Sequence, residues 1–582
     1  MARKKIVKEE FTPSKYQQAI FDFIKNNDGD LLVEAVAGSG KTTTIIKALG
    51  LIPEDKSVLF CAFNKDIVKV LTKKTKAYKN VEVRTIHGLG YKVCISNFEQ
   101  MSRKIETNKY LGEFYSNTDS YTQAKERLKY REWGQYQKNL SRLLELARLN
   151  LANTPKEIKD TIERYGLSLV ADEMDVVLKL MEWGMEHTET LDYTDMVWYP
   201  NVYQLDLKEG DFDYIFVDEA QDLSKAQREF ILKCGHEGTR RIFVGDSNQA
   251  IYGFSAADPE SFNELRKIPN IMNLPLSVCY RCPKSVIDFV HGLVPEIEAT
   301  EDAFGGTVNL KDTLSSIEDQ DMVLCRYNAP LFAMYNALVE RKKKAFIVGK
   351  DIGASLINAI KGTQHTMLNV DLESKGVFSS LYRDYFIKRQ QLKTLKGWSD
   401  KLCDNDPNLS AMKDVIIALT FISHNIKTSA QLIDKISKIF EDNVSEGIIL
   451  STIHKAKGLE ANNVFVIENA SIKHMRENAT LEWEKTQERN LFYVACTRSK
   501  KKLSFIDQED FDVSVNILNT DRLNAIEKKI NLLYSEHKKN PVRLPSPFIS
   551  VGKTLDSTPK KAINQEFNSL IGKKKTKTNL FK

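Results

Sequence analysis

The sequence predicts an α/β fold built twice along the chain, and three observations carry that expectation. Short apolar runs recur in two stretches, each run followed by a polar or glycine-containing loop, as strands of a parallel sheet buried on both faces would be. A long segment of helical periodicity interrupts each stretch. One of the runs opens directly into a glycine-rich turn and a helix.

The first stretch contains the runs Leu31 to Val36, Ser57 to Ala62, Tyr214 to Val217 and Arg241 to Val244. The second contains Asp321 to Cys325, Ala345 to Val348, Gly447 to Ser451 and Asn463 to Ile467. Residues 92–191, rich in Lys, Glu, Leu and Tyr, show helical spacing and no comparable strand run. Residues 351–446 do the same, as in Ala430 to Phe440, and no fixed-period repeat is present.

The chain has 582 residues, enough for roughly four folding units at about 150 residues each. Its net charge of +6 equals the balance of the segment after Pro559, where seven lysines face only Glu566. The rest of the chain is therefore near neutrality, and whole-chain charge does not identify a nucleic-acid binder. Residues 513–582 read as a basic, flexible tail, a solvated segment or a weak arm for nucleic acid or a partner. Eight cysteines do not form the dense framework of a small secreted domain, so a reducing compartment is expected. The beginning of the chain turns acidic where an export signal needs an apolar stretch, and no apolar run approaches the roughly 20 residues that cross a bilayer. The expectation is a cytoplasmic protein with no membrane association.

The chemistry is concentrated in two segments. Ala35-Val36-Ala37-Gly38-Ser39-Gly40-Lys41-Thr42 joins an apolar strand to the helix that begins with Thr43. Glycines there let backbone N–H groups turn toward phosphate oxygens, the helix N-terminus adds positive potential, and Lys41 adds a full charge. Thr42 can then ligate Mg²⁺. The loop starts with Ala35 where the general pattern has glycine. Asp218-Glu219-Ala220-Gln221-Asp222 follows the run Tyr214 to Val217 and supplies a carboxylate for the metal, Asp218, and a candidate base, Glu219. Either segment alone could be a structural turn or an acidic loop end; together they point to hydrolysis of a nucleoside triphosphate.

Val244-Gly245-Asp246-Ser247-Asn248-Gln249-Ala250-Ile251-Tyr252-Gly253-Phe254 follows the next run. With this segment the sequence resembles the superfamily 1 helicases of the UvrD/Rep/PcrA type, in order, over residues 11–90, 192–350 and 447–506. The resemblance implies two RecA-like P-loop NTPase domains with parallel sheets, each interrupted by a mainly helical insertion. It places the first domain at 1–91 and 192–274 around the insertion 92–191. The second domain falls at 275–350 and 447–512 around the compact insertion 351–446. ATP and Mg²⁺ are the implied cofactors. Single-stranded and partially duplex DNA are the implied partners, with replication or repair proteins, and the chain is expected to be a monomer without them.

The residue roles follow from the same resemblance. Gln17, with Gln18 as the alternative, occupies the adenine-reading position of Thr12-Pro13-Ser14-Lys15-Tyr16-Gln17-Gln18. ATP contacts fall on Ala35, Val36, Ala37, Gly38, Ser39, Gly40, Lys41, Thr42, Thr43, Tyr280, Arg281, Gly458, Glu460 and Arg498. Gln249 senses the γ-phosphate, Arg281 and Arg498 reach it from the second domain, and Tyr280 stacks on adenine. DNA contacts fall on Phe63, Asn64, Thr85, His87, Tyr252, Phe254, Thr452 and His454, with aromatic faces for bases. Leu191-Asp192-Tyr193-Thr194-Asp195-Met196 matches a short motif ahead of the second segment. Charge developing in phosphoryl transfer would then be stabilised only when the two domains close.

Three departures qualify the resemblance. Thr43 stands where an arginine often covers adenine, Phe254 stands where tryptophan is common, and the second insertion is short for the bacterial enzymes. That compactness suits a phage or mobile-element replication protein. Cys279-Tyr280-Arg281-Cys282 also has a spacing compatible with zinc or redox chemistry, although the remaining cysteines form no second close pair. The expected activity is a 3′ to 5′ DNA helicase or translocase acting in replication, repair or recombination. The alternatives are a 5′ to 3′ superfamily 1 helicase and a DNA-dependent ATPase that remodels nucleoprotein without unwinding.

Overall fold

A computed structural model describes residues 11–511 apart from 63, 117–120, 123–129, 168, 170, 254–256, 259, 369–375, 397–406, 424–425, 441–445, 470–471, 474–475 and 478–480. Phe63, Phe254 and the basic tail after Pro559 thus lie outside the described residues. The chain forms two compact units. One is made by the chain up to Leu310 together with Ala456–Phe505, the other by Lys311–Lys455 with the chain from Ile506. Among the described residues, no helix is long and apolar enough to cross a membrane.

The first unit is organised by a sheet of β1 (Leu31–Ala35), β2 (Val58–Ala62), β3 (Val81–Thr85), β4 (Tyr214–Val217), β5 (Arg240–Gly245) and β6 (Met272–Leu276). Their order is β3-β2-β4-β5-β1-β6, and every neighbouring pair is parallel. The apolar runs alternate between faces, as strand geometry requires. Leu32, Leu59, Ile215, Val217 and Phe243 pack on one side against Leu89, Val93 and Phe230. Leu31, Val33, Phe60, Phe216, Ile242 and Val244 pack on the other against Ile20, Phe23, Ile45 and Leu49. Helices thus cover both faces, which explains why the central strands read as largely apolar runs, broken only by residues such as Glu34 in β1 and Arg240 and Arg241 at the start of β5.

The same unit also contains β7 (Val278–Cys279) and β8 (Glu298–Ala299), which pair in parallel, and β9 (Thr307–Asn309). In the second unit, β10 (Met322–Cys325) and β11 (Ala345–Ile347) both pair in parallel with β12 (Ile448–Thr452), among the helices Asn328–Glu340, Lys350–Gly362, Val377–Lys396, Pro407–Ile422 and Ser429–Ile439. The chain then returns to the first unit with β13 (Ala461–Glu468), the helix Glu482–Cys496 and β14 (Ser499–Asp507), which pairs in parallel with β9. The doubled α/β pattern and both helical segments are therefore present. The runs read from sequence coincide with β1, β2, β4, β5, β10, β11, β12 and β13 to within a residue or two at each end.

The segment 92–191 is pinned to the first unit by a buried ionic cluster. Arg148 forks onto Asp192 at 2.9 and 2.7 Å and reaches Asp195 at 2.8 Å. Lys109 lies 3.3 Å from Asp195 and donates to the Tyr199 hydroxyl at 2.6 Å, and Tyr110 donates to Asp195 at 2.6 Å. Burial, reinforced by Asp192, raises the Asp195 pKa above the usual carboxylate range, and burial lowers that of Lys109. Two carboxylates face two cations, so the cluster balances its charge internally. Arg148→Met should strand Asp192, leaving Asp195 to Lys109 alone, and lower the unfolding free energy by about 3–5 kcal/mol, the range for breaking one side of a buried ion pair. A chemical-denaturation midpoint checks this.

Candidate functional site

Because β5 lies between β4 and β1 and all three run in parallel, the loops leaving their C-terminal ends meet at one edge of the sheet. Those loops are Val36–Gly40, Asp218–Asp222 and Asp246–Gln249. The first passes through Gly38 at φ +69° and Gly40 at φ +79°, left-handed positions that suit glycine, and leads straight into the N-terminus of the helix Lys41–Leu49, which favours anions. No side chain fits at Gly38: a Cβ would stand 2.6 Å from the Arg281 Cβ and 3.0 Å from the Cys279 Sγ. The Tyr280 N–H donates to the Gly38 carbonyl at 2.9 Å, and the Ala37 N–H donates to the Tyr493 hydroxyl at 3.0 Å. The Tyr-Arg segment and the last helix therefore clasp the loop directly.

The second loop concentrates acid. Asp218 and Glu219 follow directly on β4, with Glu219 in the left-handed region at φ +54°. Asp222, Gln221 and Asp246 are buried beside them. Gln221 bridges the two loops, donating to Glu219 at 2.5 Å and accepting from the Asp246 N–H at 2.9 Å. Lys41 acts electrostatically on all four carboxylates. Lys457 adds a second cation, 2.5 Å from Asp222 and 3.5 Å from Glu219, and also donates to the Gln249 carbonyl at 2.9 Å.

The two members of the acidic pair are pushed apart. Burial, then the charge of Glu219, raises the Asp218 pKa to about 7. Burial also raises that of Glu219, but Lys457, Lys41 and Gln221 together outweigh it and bring it down to about 2. Asp222 is raised to about 6 by burial, against the pull of Lys457.

The third loop meets the arginines. Gln249 donates to Asp246 at 2.6 Å and accepts from Arg498 Nη2 at 3.3 Å. Arg498 is 1 % exposed, and burial, with repulsion from Arg281, lowers its pKa to about 10. Arg281 donates to Glu460 at 2.8 Å and to the Thr497 carbonyl at 3.3 Å, and Lys500 holds the other oxygen of Glu460. Gly458 turns between these contacts at φ +91°. Both arginines lie in the same compact unit as Lys41. Cys279 and Cys282 are buried in the wall behind the loop, where the Cys282 N–H donates to the Cys279 sulfur at 3.4 Å.

Gln17 is buried against the helix Lys41–Leu49. Its side-chain oxygen accepts from the Ser14 N–H at 3.0 Å and the Tyr280 hydroxyl at 3.5 Å, and its amide donates to Thr44 at 2.9 Å. Gln18 is instead exposed and bonds Asp22. Tyr280, 50 % exposed, and Thr43 flank the same helix start. The donor set fits a nucleotide phosphate and a divalent cation. Ser39 Oγ is buried with no hydrogen-bond partner among the described residues. The four carboxylates, when ionised, exceed the two lysines by two negative charges. No group of three His, Cys, Asp or Glu side chains among the described residues is arranged to hold a metal alone. A cation taken by Thr42 and Asp218 would share its shell with phosphate and water, as Mg²⁺ commonly does.

The candidate DNA residues are distributed over both units. In the first, Asn64 caps the helix Lys65–Thr75 through the Ile67 N–H at 2.9 Å, and Thr85 caps Ile86–Asn97 through the Gly88 N–H at 3.0 Å. His87 is half-buried in that second helix. Burial lowers its pKa, and the charge of Asp192 opposes the shift. The Tyr252 ring lies 5.1 Å from the Lys457 ammonium. In the second unit, Thr452 ends β12 and accepts from the Lys455 N–H at 3.4 Å, with His454 two residues on.

Residues 16–269 match the family model of the UvrD/REP helicase N-terminal domain, and residues 447–506 that of the UvrD-like helicase C-terminal domain. The chain belongs to the UvrD-like helicase family. An F-box DNA helicase protein 1 of Schizosaccharomyces pombe is 24% identical over 534 residues, covering 83% of this chain and 56% of that protein. ATP-dependent DNA helicases PcrA of Staphylococcus epidermidis and Staphylococcus aureus are each 25% identical over 294 and 291 residues, 47% of this chain and 38% of theirs. The chain spans about half the length of the first relative, at 56%, and less of the other two. A solved arterivirus nonstructural protein 10 (helicase) aligns at 12% identity and a TM-score of 0.31 over 83% of this chain and 60% of its own, too loose a likeness to bear on the fold.

Around these loops, the structure adds residues to which sequence reasoning gave no role: Gln221, Asp222, Asp246, Lys457, Asn490 and Tyr493. Each stands inside a motif quoted for its neighbours, and only the meeting of distant segments shows what it touches. His454 generates a pH prediction. Burial, with repulsion from Arg326, lowers its pKa to about 4, below the unfolded value near 6.5, so the unfolded chain takes up the proton first. The stability present above about pH 6.5 is therefore lost as pH falls through about 4. His454→Gln should flatten that part of the acid-side loss, read from chemical denaturation at several pH values between about 4 and 7.5.

Proposed function

We propose that the chain is an ATP- and Mg²⁺-dependent DNA helicase or translocase that moves 3′ to 5′ on single-stranded DNA and couples hydrolysis to duplex unwinding. The observation that carries the chemistry is the convergence of Lys41, the Asp218–Glu219 pair and Gln249 on one sheet edge, with Arg281 and Arg498 against the same loops. The helicase names of the S. pombe and staphylococcal relatives support the extension to DNA. In this reading residues 1–91 with 192–274, and 275–350 with 447–512, are the two motor domains, and replication, repair or recombination is the setting.

The chain's own groups divide the work. The loop N–H groups and Lys41 bind phosphate oxygens, and Thr42 and Asp218 hold the cation. Held there, Mg²⁺ would supply neutralisation of phosphate charge and polarisation of the phosphoryl group. Glu219 orients the attacking water and takes its proton. Lys457, 3.5 Å away, is first among the charges that hold the Glu219 pKa down, so a shift of that lysine away from the pair would raise the basicity of Glu219. Gln249 links the phosphate side to Arg498. Arg281, held through Nε by Glu460 and through Nη1 by the Thr497 carbonyl, brings positive charge to the same loops for the phosphate.

The DNA path in this reading includes Asn64, Thr85, His87 and Tyr252, with Phe63, Phe254, Thr452 and His454. The run Gln249 to Phe254 favours the 3′ to 5′ branch. Glu219→Gln should retain ATP binding while turnover falls at least about a hundredfold, the scale of a lost proton-transfer residue. Steady-state hydrolysis with a nucleotide-binding assay checks it, and near-normal turnover would remove Glu219 from the role. Strand displacement on duplexes with either overhang should occur only from the 3′ overhang. Opening only from a 5′ overhang would reverse the polarity, and DNA-stimulated hydrolysis without opening at either end would leave a remodelling ATPase.

A further inference from the structure

The helix Glu482–Cys496 spans about 22 Å at 1.5 Å per residue. Its C-terminal half serves the phosphate loops. Tyr493 receives the Ala37 N–H at 3.0 Å, and Asn490 donates to the Ser247 and Ala250 carbonyls at 3.1 and 3.0 Å. Arg498, just beyond its end, reaches Gln249.

Its N-terminal end makes contacts that hydrolysis does not require. The Trp483 indole N–H donates to the Arg164 carbonyl at 2.9 Å, and its ring centroid lies 6.2 Å from that of Tyr165. The edge of the same ring covers Gly253, where a Cβ would stand 3.0 Å from Trp483 Cε3 and 3.2 Å from Gln487 Oε1. Trp483, Gln487 and Asn490 follow at i, i+4 and i+7, so they share one helix face. A Cβ at Gly166 would meet Leu481 at 3.1 Å. Arg164 is tied to the loop after Gly253 as well, with Nη1 3.6 Å from Asp258, whose other oxygen accepts from Arg228 at 2.8 Å.

One corner of the helical insertion, Arg164 to Gly166, therefore touches both the segment after Tyr252 and the helix that carries Tyr493. An aliphatic side chain could fill the same space. The indole N–H adds a directional bond that fixes the ring against Gly253, a position with no side chain to absorb a displacement. We propose that Trp483 is a positioning residue, through which the helix Glu482–Cys496 holds the Tyr252–Gly253 turn and the helical insertion in register with the phosphate loop. The inference rests on the DNA-stimulated ATPase reading above. A shift of Tyr493 and Arg498 with nucleotide is carried along the helix to Trp483, and from there to Gly253 and Arg164 together.

The test compares full-length wild type, Trp483→Ala and Trp483→Phe for ATP turnover without DNA, turnover at saturating single-stranded oligonucleotide, half-saturating oligonucleotide concentration, and base pairs opened per ATP. Trp483→Ala should keep DNA-free turnover within about twofold while stimulation by DNA falls about tenfold, inside the range of measured site-to-site couplings. Trp483→Phe keeps a ring on Gly253 and should restore part of the stimulation. Unchanged stimulation and stepping in Trp483→Ala would overturn the proposal. So would an equal loss with and without DNA, accompanied by a lowered melting temperature, which marks packing alone. A wild type that DNA does not stimulate would instead remove the underlying ATPase reading.

Discussion

Asp218, Glu219, Asp222 and Asp246 are crowded into two loops at one end of a buried sheet, and Lys41 and Lys457 stand among them. An unpaired carboxylate in such a place would carry a desolvation cost of several kcal/mol. Each lysine is delivered by a different part of the chain, Lys41 by the glycine loop and Lys457 by the segment that follows β12. The acidic cluster therefore dictates where two remote segments must sit. Gln221 completes the arrangement by bridging Glu219 and Asp222, and Gln249 ties Asp246 to Arg498. The residual negative charge is what a phosphate-bound divalent cation would meet.

The sheet makes this crowding possible. Parallel strands emit their following loops at the same edge, so β1, β4 and β5 bring three chemically different loops together without any loop having to be long. Their neighbours are then held by backbone contacts more than by side-chain charge. The Gly38 carbonyl to Tyr280 and Ala37 N–H to Tyr493 contacts place the two arginine-bearing segments against the loop.

How much of this was legible in the sequence depended on burial. The central strands were read correctly because covering helices on both faces demand largely apolar runs. β3 and β6 were not, since both are edge strands: Val81–Thr85 is half-buried throughout, and Met272–Leu276 is mostly exposed and carries Pro275, which an edge tolerates. β14 was hidden by Lys500, Lys501 and Lys502 at its start. In the site, loop residues with a local signature were visible. Lys457 and Asp246 were not, because their meaning comes from partners that only folding brings near. Trp483 has no local pattern at all, and its role rests on Gly253 and Arg164, both far away in sequence.

The ionic cluster of Lys109, Arg148, Asp192 and Asp195 bears on how such a protein can change over evolutionary time. Two of its charges belong to the helical insertion and two to the segment leading into β4, and none is solvated enough to stand alone. The insertion is thus no interchangeable cassette. A lineage that replaced or trimmed it would have to neutralise Asp192 and Asp195 in the same step, so the insertion and the segment it grips are bound to be inherited as one piece.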